Sequence, residues 1–177
     1  ARRDGVEAEQ ALCGGGAADL IYRLALALPR GRALLFEPTF SEYGHALACA
    51  GWEIRRSTLC PEENFALTHA HLAHVEGADL VFLCNPNNPT GSLIDPPVLE
   101  ELLEGCARRG IRVAVDECFW ELACGGPGLA PRVGEFPNLI VLRAFTKSYA
   151  MPGLRLGYCL CADGELLERM RRCGPPW

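Results

Sequence analysis

The order of apolar and polar positions divides the chain into short runs alternating with amphipathic stretches. "ALLFE" at 33–37, "WEIRRS" at 52–57, "DLVFLC" at 79–84, "IRVAVDE" at 111–117 and "NLIVLR" at 138–143 have the length and composition of β-strands. Between them, residues 17–28, 41–50, 68–75, 96–109 and 163–172 repeat apolar positions at helical spacing. Asp163 stands where an N-cap is needed, and Gly51 and Gly110 stand where helices stop. This alternation predicts an α/β fold with a mostly parallel, mixed central sheet flanked by helices on both faces. Ligands of such sheets collect at the carboxyl ends of strands, so chemistry is expected in the polar residues just past each run.

Composition narrows the picture without changing it. At 177 residues, 49% hydrophobic and 22% charged, the chain can bury one full core. It has no continuous apolar run of membrane-spanning length, and its start, "ARRDGVEAEQ", lacks the apolar stretch of a signal peptide. A cytoplasmic location with no membrane partner is the expectation. A net charge of −5 leaves no basic footprint for nucleic acid, and "RMRR" at 169–172 reads as the solvated end of a helix. The 10 cysteines sit in apolar runs with no CxxC pair, and read as reduced thiols packed like small hydrophobes. The chain starts at Ala1 and stops at "RRCGPPW", which reads as a connection, so a fragment of a longer protein is expected.

Five features carry chemistry. "CGGGAADLIYRLALAL", 13–28, sets three glycines before a helix, which makes either a tight turn or a cradle of backbone N–H groups for an anion. "LCNPNNPTG", 83–91, is a rigid turn past a strand, and Asn88 is the amide best placed to donate to a ligand there. Asp116 ends a strand of small apolar residues, where a buried carboxylate calls for a cationic partner. It either caps the next segment or pairs with a protonated ring nitrogen. Lys147, in "RAFTKSYAMPGLRLGY" at 143–158, is either a snorkelling surface lysine or a partly desolvated amine nucleophile. Arg155 is either an ion-pair partner on a strand edge or a forked charge for a phosphate. Together these are the needs of pyridoxal 5′-phosphate. "HAHLAH" offers His69, His71 and His74 to a metal, but no cysteine or carboxylate cluster accompanies them and no metal site is expected. Cys118 has no histidine near it in sequence and reads as structural. "GGPGLAPRVGEFP", 125–137, is the longest loop-like stretch.

Through "NPNNPTG", "DE" and "FTKSYAMPGLRLGY" the sequence resembles the fold-type I, class I/II aminotransferase superfamily over essentially its whole length. "PTFSEYGHALACAGWEIRR", "FLCNPNNPTG", "PGLRLGY" and "MRRCGPPW" are similar, more narrowly, to the threonine-phosphate decarboxylases of cobalamin biosynthesis and to histidinol-phosphate aminotransferases. The resemblance implies that Lys147 bonds covalently to the carbonyl carbon of pyridoxal phosphate and that Asp116 pairs with its pyridine nitrogen. It implies that Asn88 donates to the phenolate oxygen, that Phe40 stacks on the ring, and that Gly16, Ala17, Ala18, Thr146 and Arg155 hold the phosphate. Many aminotransferases carry a tyrosine three positions after the aspartate, whereas this chain has Phe119, which has no hydroxyl to donate.

The resemblance further implies that residues 1–177 are a partial large domain, without the N-terminal segment and C-terminal small domain of full-length relatives, and that the whole protein is a homodimer. The implied reaction is decarboxylation of L-threonine O-3-phosphate to (R)-1-amino-2-propanol O-phosphate. Transamination of histidinol phosphate, or of another small phosphorylated amino-acid or amine substrate, is the alternative. A non-catalytic cofactor-binding module is a third reading.

Overall fold

The computed structural model describes residues 1–175. Its strands are β1 (Ala11–Gly14), β2 (Arg32–Glu37), β3 (Glu53–Thr58), β4 (Leu80–Cys84), β5 (Arg112–Asp116), β6 (Leu139–Ala144) and β7 (Gly157–Cys161). They form one sheet in the order β1-β7-β6-β5-β4-β2-β3. Pairing is parallel from β3 to β6, and β7 runs antiparallel to both β6 and β1. The helices are α1 (Ala17–Ala27), α2 (Ser41–Ala50), α3 (Pro96–Arg108), α4 (Trp120–Ala123), α5 (Phe145–Ser148) and α6 (Gly164–Arg172).

Successive side chains of a strand point to opposite faces, and here both faces are buried. Leu35, Phe82, Ala114, Ile140, Leu142 and Cys159 point one way and pack with apolar residues of α1, α2 and α6. Leu34, Val81, Leu83, Val113, Val115, Val141 and Leu160 point the other way, into a second cluster with α3 and the 3-10 segment Ala130–Gly134. Double coverage explains why β4 and β7 are buried at every position and read as unbroken apolar runs rather than alternating ones.

The five predicted strands and four of the predicted helices form at the expected places. Asp163 caps α6 by accepting from the Leu166 N–H, α2 stops at Gly51, and α3 ends just before Gly110. "RMRR" closes α6, with Arg171 and Arg172 on Glu168 and Arg169 on the Ala27 carbonyl. Other expectations need correction. The stretch at 68–75 is a 3-10 helix over His69–Val75, not an α-helix. The loop at 125–137 contains the 3-10 turn Ala130–Gly134. All 10 cysteines are free, but Cys13, Cys49, Cys60, Cys124 and Cys173 are exposed rather than packed as small hydrophobes. Strands β1 and β7 add to the five predicted, and "ALCG" is too short to show a period. Of the terminal "MRRCGPPW", residues 176 and 177 lie outside the described residues.

Candidate active site

The strand register gathers the chain's polar punctuation at one edge of the sheet. Cys84 pairs with Asp116, Asp116 with Leu142, Ala144 with Gly157, and Gly157 with Gly14. The carboxyl ends of β1, β4, β5 and β6 therefore lie side by side. Over them opens a cleft of about 150 Å³, lined by Gly16, Ala17, Ala18, Phe40, Asn88, Asp116, Thr146, Lys147 and Arg155, and by Cys84, Cys118, Phe119 and Ala144. Every residue singled out as a site candidate from the sequence is on this wall.

Asp116 forms the floor. It is 5% exposed, and of the two sequence-based readings the cap is present: Oδ1 accepts from the Cys118 N–H of the following segment at 2.9 Å. Oδ2 accepts from the Tyr43 hydroxyl at 2.9 Å, and among the described residues no cationic side chain pairs with Asp116. Burial pushes its carboxyl above the ordinary range, while the Cys118 and Tyr43 bonds pull it down. The pressure is mutual: burial and then the Asp116 charge drive the Tyr43 hydroxyl and the Cys118 thiol well up, and the Cys84 thiol to about 12. Cys84 and Cys118 are thus neutral thiols, which suits the structural role expected of Cys118. A buried carboxylate given neutral donors only is left to be matched by a cation entering the cleft.

The asparagines of "NPNNPTG" divide their work. Asn85 accepts from the Ile94 N–H, and Asn87 donates to the Pro38 carbonyl and to Thr90 and accepts from Thr39. Both build the loop. The Asn88 amide has no partner among the described residues and faces the cleft.

At the other end of the cleft, α1 begins. Its donors are fewer than three glycines suggested: the Gly15 N–H is held by Asp19 and the Gly16 N–H by the Gly14 carbonyl. The N–H groups of Ala17 and Ala18, in the uncapped first turn, remain for an anion. The Arg155 guanidinium is beside them, since a Cβ added to Gly16 would meet its Nη2 at 3.4 Å. Arg155 itself lies in the left-handed region, φ 48, at an inherent cost of about 1–2 kcal/mol. It belongs to the loop before β7, not to a strand edge.

Lys147 is in α5, immediately after β6, and Phe145 N–H donates to the Leu156 carbonyl across the base of the same excursion. It is exposed at the rim of the cleft, so the chain alone does not desolvate it as the sequence suggested. Its Nζ stands 5.3 Å from the centroid of the Phe119 ring.

The family model for aminotransferase class I and II matches residues 4–177. The chain belongs to that family. It is 41% identical over its whole length to the threonine-phosphate decarboxylase of Salmonella typhimurium strain LT2, of which it covers 49%. It is 35% identical, over 98% of its length, to the histidinol-phosphate aminotransferase of Cronobacter sakazakii, covering 48% of that protein. Among solved structures, the histidinol-phosphate aminotransferase of Clostridium acetobutylicum matches 95% of this chain and 50% of its own, with a TM-score of 0.86 and 27% identity. The chain thus spans about half the length of the relatives it matches.

For this aminotransferase-family chain, two site features escaped the sequence reading. Tyr43 lies inside an apolar helix pattern and only the fold brings it to Asp116, 73 positions away. The other was visible: Lys147 is the only lysine in 177 residues, against 16 arginines (17 Lys+Arg less one). In a chain that otherwise takes arginine for every basic position, a lone lysine marks a place where an amine is required. The histidines go elsewhere, His71 to Thr68 and His74 to Ser57, with His69 near Glu101. No cluster of three or more metal-binding side chains occurs among the described residues. No helix among them is long and apolar enough to cross a membrane.

Proposed function

We propose that this chain is the cofactor-binding part of the large domain of a pyridoxal 5′-phosphate enzyme that removes CO2 from L-threonine O-3-phosphate, giving (R)-1-amino-2-propanol O-phosphate. The observation that carries the cofactor is the set of needs on one cleft wall that the described residues leave unmet: a buried carboxylate without a cation, an amide without a partner and two helix N–H groups beside an arginine, together with the sole lysine of the sequence. These fit, in order, a protonated ring nitrogen, a phenolate oxygen, a phosphate and an aldehyde.

When bound, the cofactor supplies an electron sink for a bond at the substrate's α-carbon. The chain's own residues bind and orient. Asp116 would hold a proton on the ring nitrogen, and Tyr43 with the Cys118 N–H fixes the direction of the carboxylate's lone pairs. Ala17, Ala18, Thr146 and Arg155 would anchor the phosphate, Phe40 would support the ring face, and Asn88 would donate at the phenolate side, where Phe119 offers no hydroxyl. Lys147, at the cleft rim, would hold the aldehyde carbon and would serve as an acid or base for the substrate's α-carbon.

The reaction is supported by the 41% identity to a threonine-phosphate decarboxylase. The relatives named histidinol-phosphate aminotransferases, at up to 35% identity, support amino transfer as the second reading. We propose a cytoplasmic homodimer for the whole protein, a reading supported by the exposure of Leu122, Tyr149 and Leu154 next to cleft residues in sequence. The test is the full-length protein with pyridoxal phosphate and each phosphorylated substrate. CO2 release from threonine phosphate is expected, and amino transfer to a keto acid without CO2 release would favour the second reading. K147A is expected to abolish the visible absorbance of bound cofactor, and an unchanged band would overturn the assignment of Lys147.

A further inference from the structure

Beneath the cleft, on the side away from Phe40, lies a buried ionic cluster that no step above uses. Arg143, the penultimate residue of β6, is 4% exposed and reaches Asp4 at 2.8 Å, Glu117 at 2.6 Å and the Pro127 carbonyl. Glu117 also accepts from the Leu129 N–H at 2.8 Å, and Asp4 from the Tyr158 hydroxyl at 3.4 Å. Side-chain exposures of 5%, 4% and 0% for Arg143, Asp4 and Glu117 make this a set of charges withdrawn from water. Such a cluster is costly to assemble and more costly to break on one side, because the remaining charges stay buried and unmatched. It is also closely fitted: a Cβ on Gly128, at φ 56, would strike the Glu117 carboxylate at 2.6 Å and Arg143 at 2.8 Å.

Its placement is what matters. Arg143 is four residues before Lys147, and Glu117 directly follows Asp116. The single guanidinium therefore ties together the two backbone segments that carry the amine and the floor carboxylate. Asp4, 139 positions before Arg143, closes the tie from the N-terminal segment. The neighbouring Arg3 adds an ion pair to Glu121 at 2.7 Å and stacks its guanidinium 5.3 Å over the ring of Tyr149, two residues past Lys147. The N-terminal turn thus grips both sides of α5.

We infer that Asp4 and Arg143 act as positioning residues for Lys147, through a clasp in which the N-terminal turn locks the β6–α5 junction against the end of β5. The inference rests on the proposed role of Lys147 toward pyridoxal phosphate. Neither Asp4 nor Arg143 lines the cleft. The pair sets where α5 begins, and hence the reach of Lys147 toward an aldehyde held by the opposite wall.

The test uses the full-length protein, its D4A and D4N variants, and a control, R112Q, which breaks the Arg112–Asp163 pair (2.5 Å) at the opposite end of the sheet. Two quantities are read. One is the rate at which saturating pyridoxal phosphate becomes reducible by borohydride onto Lys147, followed by peptide mapping. The other is the affinity for pyridoxamine phosphate, which has no aldehyde and cannot bond to lysine. D4A is expected to slow capture at Lys147 about tenfold or more, with pyridoxamine phosphate affinity held within about twofold. R112Q is expected to change neither quantity at a comparable loss of melting temperature. D4N keeps an acceptor for Arg143 without the charge and is expected to fall between native and D4A, and it decides the matter alone if D4A does not fold. Capture at the native rate in D4N, or an equal loss of pyridoxamine phosphate affinity, overturns the clasp while leaving Lys147 in its role. A native protein that never captures the cofactor at Lys147 overturns the functional reading and the clasp with it.

Discussion

The Tyr43 hydroxyl donates to Oδ2 of Asp116 at 2.9 Å, and both residues are buried. The tyrosine ring is held by stacking on Phe82 at 4.9 Å, so its hydroxyl has little freedom to point elsewhere. The bond converts a carboxylate in an apolar floor into one with a fixed orientation, and makes Tyr43 part of the site without lining it.

Y43F removes that donor and leaves Oδ2 without its partner. The expected loss of stability is about 1–3 kcal/mol, measured by urea denaturation of the cofactor-free protein. A loss under about 0.5 kcal/mol would mean the hydroxyl contributes nothing to holding Asp116.

The second prediction concerns pH. Burial raises the Asp116 carboxyl above its ordinary 3.8, so over the range just above that value the folded chain keeps a proton that the unfolded chain has released. Stability owed to this group is present at low pH and lost as pH rises through the elevated range. D116N carries no such dependence. Without cofactor, the native protein is expected to lose melting temperature relative to D116N as pH rises from about 4 toward neutral, about 2–4 °C for each kcal/mol. Glu117, also raised by burial first, is raised further by the Asp116 charge, so D116N relieves it and widens the difference in the same direction. A gap that does not vary with pH contradicts this account.

The asparagines offer a third test. N87A strips the loop of bonds to Pro38, Thr90 and Thr39 and is expected to cost about 1–3 kcal/mol in stability. N88A breaks no side-chain hydrogen bond among the described residues. It should leave stability within about 0.5 kcal/mol yet weaken pyridoxal phosphate binding about tenfold, or 1.4 kcal/mol, by equilibrium titration. The reverse pattern would move the ligand-facing role to Asn87.

Gly157 sits where β7 passes under the start of α1, and an added Cβ would lie 2.7 Å from the Gly16 carbonyl carbon and 2.8 Å from the Ala17 nitrogen. Those are backbone atoms that no rotamer change can move. G157A is expected to destabilise by about 1–3 kcal/mol and, by pushing the first turn of α1 outward, to weaken phosphate-bearing ligands more than pyridoxal itself. Equal affinities for the two, relative to native, would separate Gly157 from the anion site.

Much of this site was legible in the sequence because each component announces itself locally. A strand run followed by Asp116, a proline-braced turn holding Asn88, glycines ahead of a helix, and a lysine just after a strand are all short-range patterns. They identify residue types, the ends of elements, and through them the α/β class. Local patterns cannot identify partners. Tyr43 reads as core, Arg143 as the last residue of a strand, and Asp4 as part of an N-terminal charge run. The tertiary structure alone sets a neutral donor, not a cation, against Asp116, and spends two of the glycine N–H groups inside the turn. It also turns β7 antiparallel so that β1 delivers α1 beside Lys147 and Arg155. The sequence by itself determined which groups the site contains, since chemistry and element ends follow from residue type and spacing. Their pairing was decided only by the fold, because a buried charge takes whichever partner the packing of distant segments brings within reach.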